Sequence, residues 1–233
     1  MTAVARPEFG CFVTGTDTGI GKTWVAVGLL HALSLRGRRV AGMKPVASGA
    51  EQAEGGLRNA DALLLQSHCT AAIEYADVNP YVFAEPIAPH FAAARAGIRV
   101  RMDRIRAAYA RLCAQSEAVV VEGIGGWRVP LAPRLQNADV ARALQLPVIL
   151  VVGLRLGCIN HAQLTVEAIS TDGLPLAGWA ANTVDRDYEP AQGTVDFLRE
   201  RIAAPLLGVI PHLPALEPQS VAASLDLKLL PGV

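Results

Sequence analysis

Residues 15–23 read Gly-Thr-Asp-Thr-Gly-Ile-Gly-Lys-Thr and follow directly on the apolar stretch Phe9–Thr14. Gly21-Lys22-Thr23 is the ending of a phosphate-binding loop. The usual loop also has a glycine six residues before its lysine, and here that position is Thr16, with Gly15 one residue earlier. A glycine-rich turn between a strand and a helix aims backbone N–H groups at phosphate oxygens, and the helix dipole adds favourable potential. In such a turn Lys22 neutralises the β- and γ-phosphates and the Thr23 hydroxyl ligates Mg²⁺. The apolar strand before the loop and the apolar run Lys22–Leu35 after it set this stretch apart from a chance Gly-Lys-Thr.

The rest of the chain repeats that rhythm. Val40–Met43, Ala118–Val121, Pro147–Val152, Leu176–Ala181 and Leu206–Ile210 read as short buried strands. Between them lie helical patterns at Asp61–Gln66, Met102–Ala114, Cys158–Ser170 and Thr194–Ile202, with Asn59 or Asp61 as the cap of the first. Asn79–Pro89 holds three prolines and cannot stay regular for long. Buried strands alternating with helices predict a mostly parallel sheet covered by helices on both faces. No repeat or low-complexity linker divides residues 1–233. The expected architecture is therefore α/β, a single-domain P-loop nucleotide-binding fold.

Composition excludes other classes. Hydrophobic residues make up 52% of the 233 and charged residues 18%, with no net charge. A nucleic-acid binder needs a basic excess to hold phosphates. The longest nearly apolar run, Leu146–Leu154, is about half of what a membrane span requires. Met1–Glu8 lacks the apolar core of a leader, and Cys11, Cys69, Cys113 and Cys158 form no C-x-x-C pair. The expectation is a cytoplasmic protein with small-molecule partners, and with neither nucleic acid nor membrane among them.

In open parallel sheets, ligands bind at the carboxyl ends of the strands. The residues past the strands here are Gly15–Thr23, Lys44–Gly49, Glu122–Gly126, Gly153–Asn160 and Asn182–Asp185. Glu122 ends an apolar strand, as does the carboxylate that holds Mg²⁺ in many phosphate-loop sites, and glycines follow it. Lys44 at a strand end could be a surface cation or a second positive charge on a transferring group. Asp61 could cap a helix or support a metal. Asn182 could cap a loop or read a nucleobase edge, since an amide both donates and accepts. The helix opening at Leu156-Gly157-Cys158-Ile159-Asn160 offers free N–H groups to a carboxylate. Cys158 lacks the basic neighbour a nucleophile needs.

Together these segments resemble the dethiobiotin synthetases. The resemblance rests on residues 15–23, Gly42-Met43-Lys44-Pro45-Val46-Ala47-Ser48-Gly49 and Gly56-Leu57-Arg58-Asn59-Ala60-Asp61-Ala62-Leu63. It continues through Val78-Asn79-Pro80-Tyr81, Val121–Trp127, Pro147–Gly153 and Leu156–His161, spanning roughly residues 9–214. It implies an enzyme of biotin synthesis that joins CO₂ to 7,8-diaminononanoate at the expense of ATP, through a carbamate and a carbamic-phosphoric mixed anhydride. Lys22 and Lys44 are the implied catalytic residues. The implied ATP contacts are Gly19, Ile20, Gly21, Lys22, Thr23, Trp24, Asp61, Glu122, Gly123, Ile124, Gly125, Asn182, Thr183, Ile210, Pro211 and His212. Thr23, Asp61 and Glu122 are the implied Mg²⁺ ligands. Thr16 and Ser48 meet the diamine, and Gly157, Cys158, Ile159 and Asn160 its carboxylate, across the interface of an implied homodimer.

This chain departs from the family pattern at three places: Gly19 stands where many members have Glu, Ile124 where Ala is usual, and Thr183 where Asp is common. Nucleotide-switch ATPases of the partitioning and division-site type share the implied fold. They carry a signature lysine five residues before the loop lysine, where this chain has Asp17. A cobalamin-type amidating ligase would bring a glutamine-hydrolysing domain for which the chain has no room. A GTPase would need a lysine at Thr183.

Overall fold

The computed structural model describes residues 6–212 and 217–233. The first half of the chain runs β1 (Phe9–Gly15), α1 (Lys22–Ser34), β2 (Val40–Met43), β3 (Val46–Ala47), β4 (Glu51–Ala53), β5 (Gly56–Arg58), α2 (Ala60–Ser67), α3 (Tyr75–Val78), β6 (Tyr81–Val82), α4 (Pro89–Arg95) and α5 (Met102–Gln115). The second half runs β7 (Ala118–Gly126), β8 (Pro130–Ala132), β9 (Leu135–Gln136), α6 (Asn137–Leu144), β10 (Val148–Gly153), α7 (Cys158–Thr171), β11 (Leu176–Asn182), α8 (Ala191–Arg201), β12 (Leu206–Ile210) and α9 (Pro218–Ala223).

Six strands form one all-parallel sheet in the order β12-β11-β10-β1-β7-β2. β1 lies at its centre, paired through Phe12 with Val148 on one side and Val121 on the other. Period-two alternation then sorts the side chains onto two faces. Phe12, Val121 and Leu150 point to the face covered by α5–α8, where the Phe12 ring meets Trp127 edge-on at 6.2 Å. Val13 and Glu122 share the opposite face, which α1 and α2 cover. Burial on both faces explains why these strands read as unbroken apolar runs. Thr14, Glu122 and Asn182 are the buried polar residues among them, and Glu122 carries the charge.

The expected strands and helices are present, with ends shifted by up to three residues except in β7. β7 runs on to Gly126, past the expected end at Val121. Asn59 is the cap of α2, its side chain accepting from the Ala62 N–H at 3.2 Å. Asn79–Pro89 contains only the two-residue strand β6, and Pro89 takes the first position of α4, where its missing N–H costs nothing. Several features had no expectation attached: the β3–β6 pair, the hairpins β4–β5 and β8–β9, the short helices α3, α4 and α9, and α6 with its Gln136/Asp139 capping box.

The carboxy-terminal residues, to which no role was attached, pack into the fold through α9. A Cβ on Gly208 in β12 would stand 1.7 Å from the Ser224 carbonyl oxygen. Met1–Ala5, within the segment read for a leader, and residues 213–216 lie outside the described residues.

Candidate active site

The carboxyl ends of β1, β2, β7 and β11 open on a cleft of about 640 Å³. Gly21 starts α1 in the left-handed conformation at φ 86°, with no side-chain cap on the helix. The first N–H groups of α1 are thereby left for a ligand. A Cβ at position 21 would also fall 2.2 Å from Asn182 Nδ2, so close approach and backbone both demand glycine.

The charged centre is built from three elements. Glu122, fully buried midway along β7, accepts through Oε1 from Thr23 Oγ1 at 2.9 Å and from Lys44 Nζ. Lys44, just past β2, also donates to Asp61 Oδ2 at 3.1 Å. Glu122 Oε2 is buried without a partner among the described residues. Lys22 bends back to donate to the carbonyl of Asp17 at 2.7 Å.

The titration behaviour follows from this geometry. Burial pushes Lys22 down to about 8; Lys44 adds to the shift, and Glu122, Asp61 and Asp17 oppose it. Burial also works against a charge on Lys44, but Glu122 and Asp61 more than offset it and hold its pKa above the ordinary lysine value. Burial raises Glu122 against the pull of Lys44. For Asp61, burial is outweighed by Lys44, and its pKa is lowered. Lys44 therefore keeps its proton throughout the neutral range.

The cleft collects Gly19, Gly21, Lys22, Thr23 and Trp24 from the loop and α1, and Lys44, Ser48 and Asp61 from the next connections. Glu122, Ile124, Gly125, Asn182, Thr183, Pro211 and His212 complete its lining among the expected residues. Asn182 Nδ2 donates to the Ile20 carbonyl at 2.9 Å, so this amide braces the phosphate loop from β11. Thr183 N donates to Ile210 O at 2.9 Å and zips the two neighbouring connections together.

Other expected residues stand elsewhere. The Ile20 and Ile210 side chains are buried in the core. A Cβ on Gly123 would meet Asn137 and Phe12, so its closeness serves packing between β7 and α6. Thr16 lies in a separate groove beside Trp127 and Leu164. Gly157, Ile159 and Asn160 open α7 outside the cleft, and the Cys158 side chain turns inward to Leu150 and Trp179.

Several supporting residues carried no site role in the sequence reading, Asn59 being expected only as a helix cap. Asn79 Nδ2 donates to the Lys44 carbonyl at 2.6 Å, and Lys44 N donates to Val78 O at 2.7 Å. Tyr75 Oη donates to Asn79 Oδ1 at 3.0 Å and accepts from Asn59 N at 2.8 Å. Asn59 Nδ2 reaches the Ser48 carbonyl at 3.3 Å. This chain of bonds fixes the backbone under Lys44 and Ser48. Asn59 and Asn79 both fall in quoted motifs, and a buried asparagine beside a proline or helix start was the available signal.

A glycine loop at a strand–helix turn, with its Lys-Thr pair facing a buried carboxylate on the neighbouring strand, defines a P-loop nucleotide-binding protein. Solved structures agree on the fold: a cell division protein MinD from Aquifex aeolicus superposes with a TM-score of 0.56 at 15% identity, covering 96% of this chain and 92% of that one. The MinD cell division ATPase of Pyrococcus furiosus gives 0.54 at 20%, covering 96% and 90%. A family model described as an AAA domain matches residues 10–220. The ATP-dependent dethiobiotin synthetase BioD of Aromatoleum aromaticum is 54% identical over 93% of this chain and 96% of its own length. That of Pseudomonas aeruginosa PAO1 is 53% identical over 94% and 96%. The chain belongs to the dethiobiotin synthetase family and is an ATP-dependent enzyme. Among the described residues, no helix is long and apolar enough to cross a membrane.

Proposed function

We propose that the protein carboxylates 7,8-diaminononanoate with CO₂ and closes the ureido ring, giving dethiobiotin, ADP and phosphate. One observation carries this reading: two buried ammonium groups, Lys22 and Lys44, stand with Thr23, Asp61 and Glu122 around one cleft. Phosphoryl transfer to a carbamate brings two anions together, and positioned cations offset their repulsion.

In the proposed sequence one amine of the diamine adds to CO₂ and loses a proton, giving a carbamate. A carbamate oxygen then attacks the γ-phosphorus and ADP leaves. The second amine attacks the carbonyl of the resulting mixed anhydride, phosphate departs and the ring closes. Lys22 holds the transferring phosphoryl group. Lys44, charged at neutral pH, stabilises the carbamate and the anhydride oxygens. Ser48 contacts the diamine from the cleft and Thr16 from the adjoining groove, with Thr18 lining both. Asn182, Thr183, Pro211 and His212 flank the nucleobase.

The donor set suits Mg²⁺: the Thr23 hydroxyl, the Asp61 carboxylate and the unpartnered Oε2 of Glu122 are all hard oxygens. Mg²⁺ needs few protein ligands because phosphates and waters complete its shell. Once bound, it supplies neutralisation of phosphate charge. A homodimer belongs to this reading, with the α7 start of one protomer binding the substrate carboxylate of its partner. Leu156, 91% exposed beside that helix start, and the exposed Leu164 support a face that meets another chain. A cytoplasmic location goes with it, supported by four free cysteines.

The test is to supply ¹³C-bicarbonate, the diamine and MgATP and to follow the product by mass spectrometry. Label in the ureido carbon supports the proposal. Unlabelled product, or none, contradicts it.

A further inference from the structure

The bulge Thr16-Asp17-Thr18 is held at two points on one neighbouring connection. Thr16 N donates to Val151 O in β10 at 3.1 Å. Two residues beyond that strand, the guanidinium of Arg155 pairs with Asp17 Oδ2. Asp17 spends its remaining acceptors on the loop itself: Oδ1 takes the Thr18 N–H at 2.7 Å and its carbonyl takes Lys22 Nζ at 2.7 Å. Arg155, Asp17 and Lys22 thus form one continuous chain of contacts, from the start of the α7 connection to the loop lysine.

We propose that Arg155 is a positioning residue: by pairing with Asp17 it fixes the Thr16–Thr18 bulge and, through the Asp17 carbonyl, the place from which Lys22 reaches the nucleotide. Both partners are nearly half exposed, 43% and 44%, and such pairs add little to stability. Its contribution is geometric. A loop with an extra polar residue has no standard backbone path of its own, and an ion pair to a rigid strand end supplies one. Arg155 touches no reacting group, so its removal loosens the loop without removing a charge from the cleft.

This inference deepens the proposed function and rests on it for the turnover measurements. Arg155→Met, Asp17→Asn, the double variant and Arg155→Lys are compared in the full chain. ADP affinity is measured by calorimetry, together with thermal midpoints and the KM values for ATP and diamine. For Arg155→Met we expect a midpoint near that of the wild type and unchanged KM for the diamine. ADP affinity and kcat/KM for ATP should each fall about tenfold, a modest misplacement. The double variant should be no worse than Asp17→Asn alone, and Arg155→Lys should regain most of the loss. Nucleotide parameters within twofold of wild type in Arg155→Met, additive losses in the double variant, or a lysine no better than methionine would each overturn the assignment. ADP binding is read without diamine, so a wild type that lacks diamine-dependent turnover would remove the proposed function while leaving this comparison decisive.

Discussion

Lys44 and Glu122 form an ion pair from which water is excluded on both sides, their side chains 5% and 0% exposed. Removing one partner of such a pair leaves the other buried and uncompensated, at a cost of roughly 3–5 kcal/mol. Lys44→Met should therefore abolish turnover and also destabilise the fold, while ADP still binds through the loop and α1. The stability loss depends on pH. Glu122 has a raised pKa, so the folded state takes up its proton first, and unfolding free energy falls as pH rises from the unfolded value of 4.5 towards the folded one. Urea unfolding should show a larger penalty for Lys44→Met at pH 8 than at pH 5, and Lys44→Met with Glu122→Gln should recover much of it. Loss of ADP binding in Lys44→Met would show that the residue serves the nucleotide alone.

Lys22 titrates at about 8 in the ligand-free protein, against 10.5 when exposed. Between those values the unfolded chain binds more protons than the folded one, so stability contributed by this residue rises with pH. Lys22→Met should remove that part of the rise. Phosphates favour the charged form, so nucleotide binding should take up a proton near pH 8 and weaken above it. Calorimetric titration of ADP in two buffers of different ionisation enthalpy checks this directly. Identical apparent enthalpies at pH 8.5 would count against it.

Gly19 and Gly21 both have positive φ, 71° and 86°, but different neighbours. Among the described residues a Cβ on Gly19 meets nothing within 4 Å, whereas one on Gly21 meets Asn182 at 2.2 Å. Gly19→Ala should cost only the left-handed backbone penalty, about 1–2 kcal/mol, and keep ADP binding. Gly21→Ala should displace the Asn182 brace and reduce ADP affinity sharply. Equal effects of the two would mean that the brace is unimportant.

The carboxy-terminal segment is part of the folded unit. Gly208→Ala drives a Cβ against the Ser224 carbonyl and should destabilise by about 2–3 kcal/mol, as overpacking does. A denaturation midpoint unchanged from wild type would show that α9 can move aside freely.

The architecture was legible because its strands are buried on both faces. Phe9–Thr14 and Ala118–Val121 are long enough in apolar and β-branched residues to need no arbitration, and Gly21-Lys22-Thr23 marks the turn from β1 into α1. Strand-end logic then reached Lys44, Glu122 and Asn182. Short elements escaped it: α6 opens on a buried Asn137, and its cap comes from Gln136 rather than from a serine or aspartate. Partners far apart in sequence escaped too. Nothing local to Arg155 points to Asp17, and nothing around Asn79 shows that it carries the backbone of Lys44. For Asn182, capping and ligand reading stood as alternatives, and its bond to Ile20 O makes it a brace whatever else it contacts. Gly19, a departure from the pattern of the resembling family, lines the cleft with a positive φ that glycine accepts.

In the proposed reaction phosphate release is coupled to the diamine. Purified protein with MgATP and bicarbonate should release phosphate only when 7,8-diaminononanoate is added, in amounts equal to the ureido product formed. Phosphate appearing at the same rate without the diamine would contradict the account and leave a plain nucleotide hydrolase in its place.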